Sequence, residues 1–203
     1  MINSKTSSLM LVAGFIAFII FTVSQMLQGG ESSTAGSLAW AASSDDWKWI
    51  MPIRMVAIIL MLVFTVGFTS WARNFSESSG LIHLGTHFTL LGVFLMFVSL
   101  ISQGAGFDLA SDSADPAEAA HALLKLSGMS SWFGGISFAF SLFLVGGKLY
   151  LDKLGTPALN GIIAVLGIIA VVGGFINWFI WVVCFGIALL VMAIIGIRKV
   201  IRD

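Results

Sequence analysis

Cysteine occurs once in this sequence, at Cys184. A lone cysteine excludes an intramolecular disulfide and any cysteine-based metal cluster. Histidine occurs three times, and no His-Glu-x-x-His arrangement is formed, which removes the zincin type of hydrolase. There is no glycine-rich loop fit to grip a phosphate, and no aspartate cluster that would hold Mg²⁺ for lipid transfer. Charged residues are scarce, ten basic against ten acidic, and no nucleic-acid partner is expected. No aspartate or glutamate falls near the middle of a long apolar run. That counts against a proton-coupled transporter, whose relay needs a carboxylate inside the membrane.

What the chain has in quantity is apolar sequence: 58% of its residues, with a mean hydropathy of +1.02. A helix that crosses a bilayer takes roughly 20 such residues, because the hydrocarbon core is about 30 Å thick and a helix rises about 1.5 Å per residue. Six runs qualify, over 9–27, 50–71, 81–101, 129–151, 158–176 and 178–197. In lipid each backbone amide must find its partner within the protein, so the runs are helices. The fold expected is an all-α membrane protein, a single domain over 1–203 built as a bundle of six transmembrane helices. Almost no loop separates the last two runs. Gly173, Gly174 and Asn177 supply turn chemistry there, and a tight hairpin is expected; one long broken helix is the alternative. Lys5 ahead of the first run gives it the look of a signal peptide, but it is taken as a retained span.

Lysine and arginine near the span ends set the orientation. Lys5, Arg73, Lys148, Lys153, Arg198, Lys199 and Arg202 fall on one side, and Lys48, Arg54 and Lys125 on the other. Seven against three places both termini in the cytoplasm, in an inner or plasma membrane. Six of the seven tryptophans then lie near the outer face, as an interfacial aromatic belt does.

Outside the membrane, 28–49 reads as an irregular surface loop and 104–115 as a flexible acidic one. Asp115, Pro116 and Glu118 make a good helix start: an N-cap, a proline at the first position and an acid at the third. The fourth membrane helix, starting near 116 and running to 151, then extends beyond the outer face. The connections over 72–80 and 152–157 leave no room for an inner domain, and no internal repeat is convincing.

Two clusters could carry chemistry. His83 and His87, four apart, share one helix face. They could bind a metal, or one could ligate haem, or both could be interfacial histidines bonded to backbone, water or Glu77. The second cluster is Glu118, His121 and Lys125 at spacings of three and four, with Arg54 one turn inside the second span. These four could form an outer vestibule for an anion or polar ligand, or the cations could snorkel to headgroups. Arg54 is also expected to meet Asp108, Asp112 or Glu118, because a charge at membrane depth needs a partner. Gly135-Ile136-Ser137-Phe138 has the Gly-x-Ser pattern of intramembrane serine proteases, but no histidine follows His121 to act as base.

No enzyme and no cofactor is expected. The leading expectation is an accessory or structural subunit of a membrane complex, or a homo-oligomer, held in the lipid bilayer. The alternative is a channel or transporter for a small solute with a polar outer mouth. A haem- or metal-binding redox subunit is a third reading.

Overall fold

The computed structural model describes residues 3–28, 33–75, 78–112 and 118–202. Among them there are seven helices and no strand: α1 (Ser4–Leu27), α2 (Thr34–Ser43), α3 (Trp47–Arg73), α4 (Gly80–Ser111), α5 (Glu118–Leu151), α6 (Pro157–Ile176) and α7 (Trp178–Arg202). All except α2 are long and apolar enough to cross a membrane. The protein is a multi-pass α-helical membrane protein with the six spans its hydropathy predicts.

Each span packs on the next one in chain order, α1 on α3, α3 on α4, and so on to α7, which returns to α1. The six spans therefore form a closed ring. One end carries the start of α1, the end of α7 and the turn at 152–156; the other carries α2, the end of α4, the start of α5 and the turn at Asn177.

Small residues let the helices approach closely. A Cβ at Gly167 would lie 2.8 Å from the carbonyl oxygen of Ala139, and one at Gly196 would collide with the carbonyl of Ser8. The glycines thus seat α6 against α5 and α7 against α1. The ring interior is filled by aromatic side chains. Phe185 of α7 meets Phe18 of α1 and Phe138 of α5, each at 6.1 Å between centroids, and Trp181 stacks on it at 4.8 Å. Phe64, Phe138, Leu142, Leu189 and Met192 are buried around this cluster.

A single residue makes the hairpin between α6 and α7. The Asn177 amide donates to the Gly173 carbonyl at 2.7 Å, ending α6. Its side-chain oxygen accepts from the Phe179 amide at 2.9 Å, starting α7. The long-broken-helix alternative is thereby set aside.

Two expectations are corrected. The 28–49 segment is not wholly irregular: α2 lies in it, started by Ser33, whose hydroxyl accepts from the Gly36 amide at 3.0 Å. The 104–115 loop is instead helix up to Ser111. At 32 and 34 residues, α4 and α5 are about 48 and 51 Å long, and both outreach a bilayer core. Ser102, Gly106, Phe107 and Ala110 of α4 are buried in the extension, and α5 supplies Ala120 and Leu124. Leu38 and Ala41 of α2 complete this small second core. The cap expected from Asp115 and Pro116 lies outside the described residues.

A candidate ligand chamber beside a buried arginine

Arg54 sits two turns into α3 and is fully buried. It does not snorkel. Its Nε donates to the Ser24 hydroxyl at 3.2 Å, Nη1 to Oε1 of Gln103 at 2.7 Å, and Nη2 to the Ser24 carbonyl at 3.2 Å and Oε1 of Gln28 at 2.7 Å. Gln28 in turn donates to the Ser37 hydroxyl at 3.1 Å. One guanidinium thus ties α1 and α4 to α3, and reaches α2 through Gln28. The fork of donors on a planar guanidinium suits several acceptors at once.

All these partners are neutral. The expected pairing with Asp108, Asp112 or Glu118 is corrected: among the described residues no carboxylate bonds Arg54. A charge is tolerated there because four charge-assisted hydrogen bonds replace its hydration and because it lies near the α2 end rather than at mid-membrane.

Beside this cluster is a cavity of about 620 Å³ between α1, α4, α5 and the start of α7, partly roofed by α2. Gln28 and Gln103 line it, together with Ser37, Ser99, Ser127 and Ser131. The hydroxyls of Ser99 and Ser127 meet at 3.0 Å across the α4–α5 seam. A narrower pocket of about 130 Å³ shares Phe21, Gln25, Ile58, Met96 and Trp178 with it and is almost wholly apolar, lined by Phe18, Met61, Trp181 and Phe185. The two make one chamber, polar toward the α2 end and apolar below. Met61, Trp181 and Phe185 of its apolar part belong to the buried core, with Phe18 packed against it.

The other vestibule residues stand apart from Arg54. Glu118 and Lys125 are exposed on α5 and His121 is half-buried. None of the three bonds Arg54. His121 and Lys125 do share a helical stripe with Gly128 and Trp132, which line the chamber.

His83 and His87 lie near the opposite end of α4. Nδ1 of His87 is 2.6 Å from the His83 carbonyl, and the Thr86 hydroxyl donates to that carbonyl at 2.8 Å. Among the described residues no group of three histidine, cysteine or acidic side chains could hold a metal; Glu77 lies outside them.

Ser24, Gln28 and Gln103 are absent from the site expected from sequence, which consists of ionisable side chains. Their signal is glutamine or serine at the edge of an otherwise apolar run. No family model matches the chain, and no curated protein or solved structure matches it.

Proposed function

We propose that this is a ligand-binding component of the inner or plasma membrane, without a catalytic centre of its own, with both ends cytoplasmic and the α2 end outside. The chamber carries this reading. It is large enough for a small molecule, lined by hydroxyls and amides above and aromatics below, and organised by a buried arginine. Such a mixed, pre-formed cavity is what ligand sites consist of. The aromatic floor weighs against an open channel.

A partner subunit or second copy of the chain would use what the chamber holds. Exposed apolar side chains such as Phe175, Ile176 and Phe179 surround the α6–α7 hairpin, where lipid or another helix packs equally well.

Native mass spectrometry from mild detergent, with an absorption spectrum, tests the reading. The expected result is a small molecule retained at one per chain, and its loss in Gly128→Trp. Gly128 lines the chamber and a Cβ there meets nothing within 4 Å, so the substitution places an indole at the chamber wall with no overlap at its Cβ. Wild type and Gly128→Trp behaving alike toward every candidate ligand would overturn the chamber as a site. A Soret band would revive the haem reading at His83 or His87.

A further inference from the structure

We propose that the chamber takes an amphipath with an anionic, oxygen-rich head, a carboxylate or phosphate, and one apolar chain. The inference rests on the chamber being a binding site and specifies what it binds.

Arg54 has only donors to offer. Gln28 and Gln103 must therefore both turn their side-chain oxygens toward it, at 2.7 Å each. An amide whose oxygen is fixed in this way has its NH₂ group fixed at the other end. Gln28 uses its NH₂ on Ser37. Gln103 is half-buried and lines the chamber, and its NH₂ has no partner among the described residues. The arginine thus converts an amide that could present either end into a dedicated donor at the chamber wall. Ser131, and whichever of Ser99 and Ser127 accepts in the bond between them, add hydroxyl donors that rotate to suit.

Charge selects among acceptors. The positive charge of Arg54 lies directly behind Gln103 and is balanced by no carboxylate among the described residues. Asp45, Asp108 and Glu118 belong to the same end of the protein but are exposed, and Asp45 is paired with Lys48 at 2.6 Å. Water and salt screen such exposed charges, whereas a buried one acts through low dielectric. An anion in the chamber therefore feels Arg54 more than the rim acids, and a cation is rejected.

Below the amides the wall changes to Phe18, Met61, Trp181 and Phe185. A soluble ion would leave that pocket unfilled, while an alkyl chain gains by occupying it.

The test measures binding to the full chain in phosphatidylcholine nanodiscs. The probes are palmitate, hexadecanol, hexadecylamine, acetate and inorganic phosphate, and the proteins are wild type, Gln103→Glu and Gly128→Trp. Gln103→Glu pairs Arg54 with a carboxylate, cancels the charge and removes the NH₂ donor, while leaving the α3–α4 link in place. We expect palmitate to bind wild type, hexadecanol to bind about tenfold more weakly or worse, and the amine and the two soluble anions not to bind. Gln103→Glu should lose palmitate about tenfold or more with its melting temperature held or raised, and Gly128→Trp should lose it altogether. Hexadecanol equal to palmitate, with both blocked by Gly128→Trp, would overturn the anionic head and leave the chamber as a site. Acetate or phosphate binding as tightly as palmitate would overturn the chain. Binding of no probe would overturn the proposed ligand class, and the chamber with it if native mass spectrometry also finds nothing retained.

Discussion

Nη1 of Arg54 and Oε1 of Gln103 meet at 2.7 Å across the α3–α4 seam, so the one charge buried in the bundle among the described residues is held by an amide. Arg54→Met removes the donor that both amide oxygens face. Gln28 is buried, and an acceptor stranded there costs about 1–3 kcal/mol, while half-buried Gln103 can turn its amide toward the chamber. A clear fall in thermal stability in detergent is expected. Lys48→Ala, at an exposed i,i+3 pair, should leave the melting temperature where it is. Equal behaviour of the two variants would mean that the hydrogen bonds of Arg54 contribute nothing.

The α1–α7 seam has no space for one more methyl group. A Cβ at Gly196 would collide with the Ser8 carbonyl, and its next neighbour is Cβ of Leu11 at 3.3 Å. Backbone cannot move aside as a flexible side chain can. Gly196→Ala should cost about 1–3 kcal/mol by overpacking. Gly80→Ala, where a Cβ meets nothing within 4 Å, serves as the control, and denaturation in mild detergent compares the two.

The turn at Asn177 depends on one side-chain oxygen. Asn177→Ala removes the acceptor that holds the Phe179 amide and should cost about 1 kcal/mol. Asn177→Asp retains an oxygen in that place and should keep most of the stability. A result with Asp as poor as Ala would show that the side-chain oxygen is not what matters.

α5 ends with the Leu154 amide bonded to the Leu149 carbonyl at 2.9 Å and the Lys153 amide to the Tyr150 carbonyl at 3.1 Å. This pair of bonds defines a Schellman ending and requires a left-handed residue at Lys153, whose φ is 55°. Glycine adopts that conformation without a Cβ penalty. Lys153→Gly should therefore raise stability by about 0.5 kcal/mol, seen as a higher melting temperature.

A reporter fused after Asp203 should be active only in the cytoplasm. Six spans put both ends on one side, and the lysine and arginine count selects which. Activity outside would reverse the orientation and place the chamber on the cytoplasmic side.

The spans were legible because apolar runs of this length have one solution in lipid. The extension of α5 ahead of its apolar run was legible for a different reason: Glu118, His121 and Lys125 keep helical spacing there. The matching extension of α4 was not. The 104–115 stretch reads as a flexible acidic loop, yet a Cβ at Gly106 would run into Leu124, so this glycine lets two helices touch. Glycine marks loops and close contacts alike, and hydropathy does not separate them. Arg54 was legible as the cation inside a span. Its partners were not, because a neutral amide contributes nothing to a charge count and a glutamine 49 positions away has no local spacing to reveal it.

The closed ring has a consequence for how the protein is made. Five of its six seams join spans that leave the ribosome one after the other, so each can form as soon as the later span enters the membrane. The sixth, α1 against α7, cannot. Until α7 arrives, the groove of α1 beside Ser8 and Leu11 has no glycine surface to receive it. α1 must wait through five insertions with that flank turned to lipid or to whatever shields nascent helices. Low separation in sequence favours fast assembly, and here the one seam of long sequence separation is also the one that brings Phe18 to Phe185 in the aromatic floor.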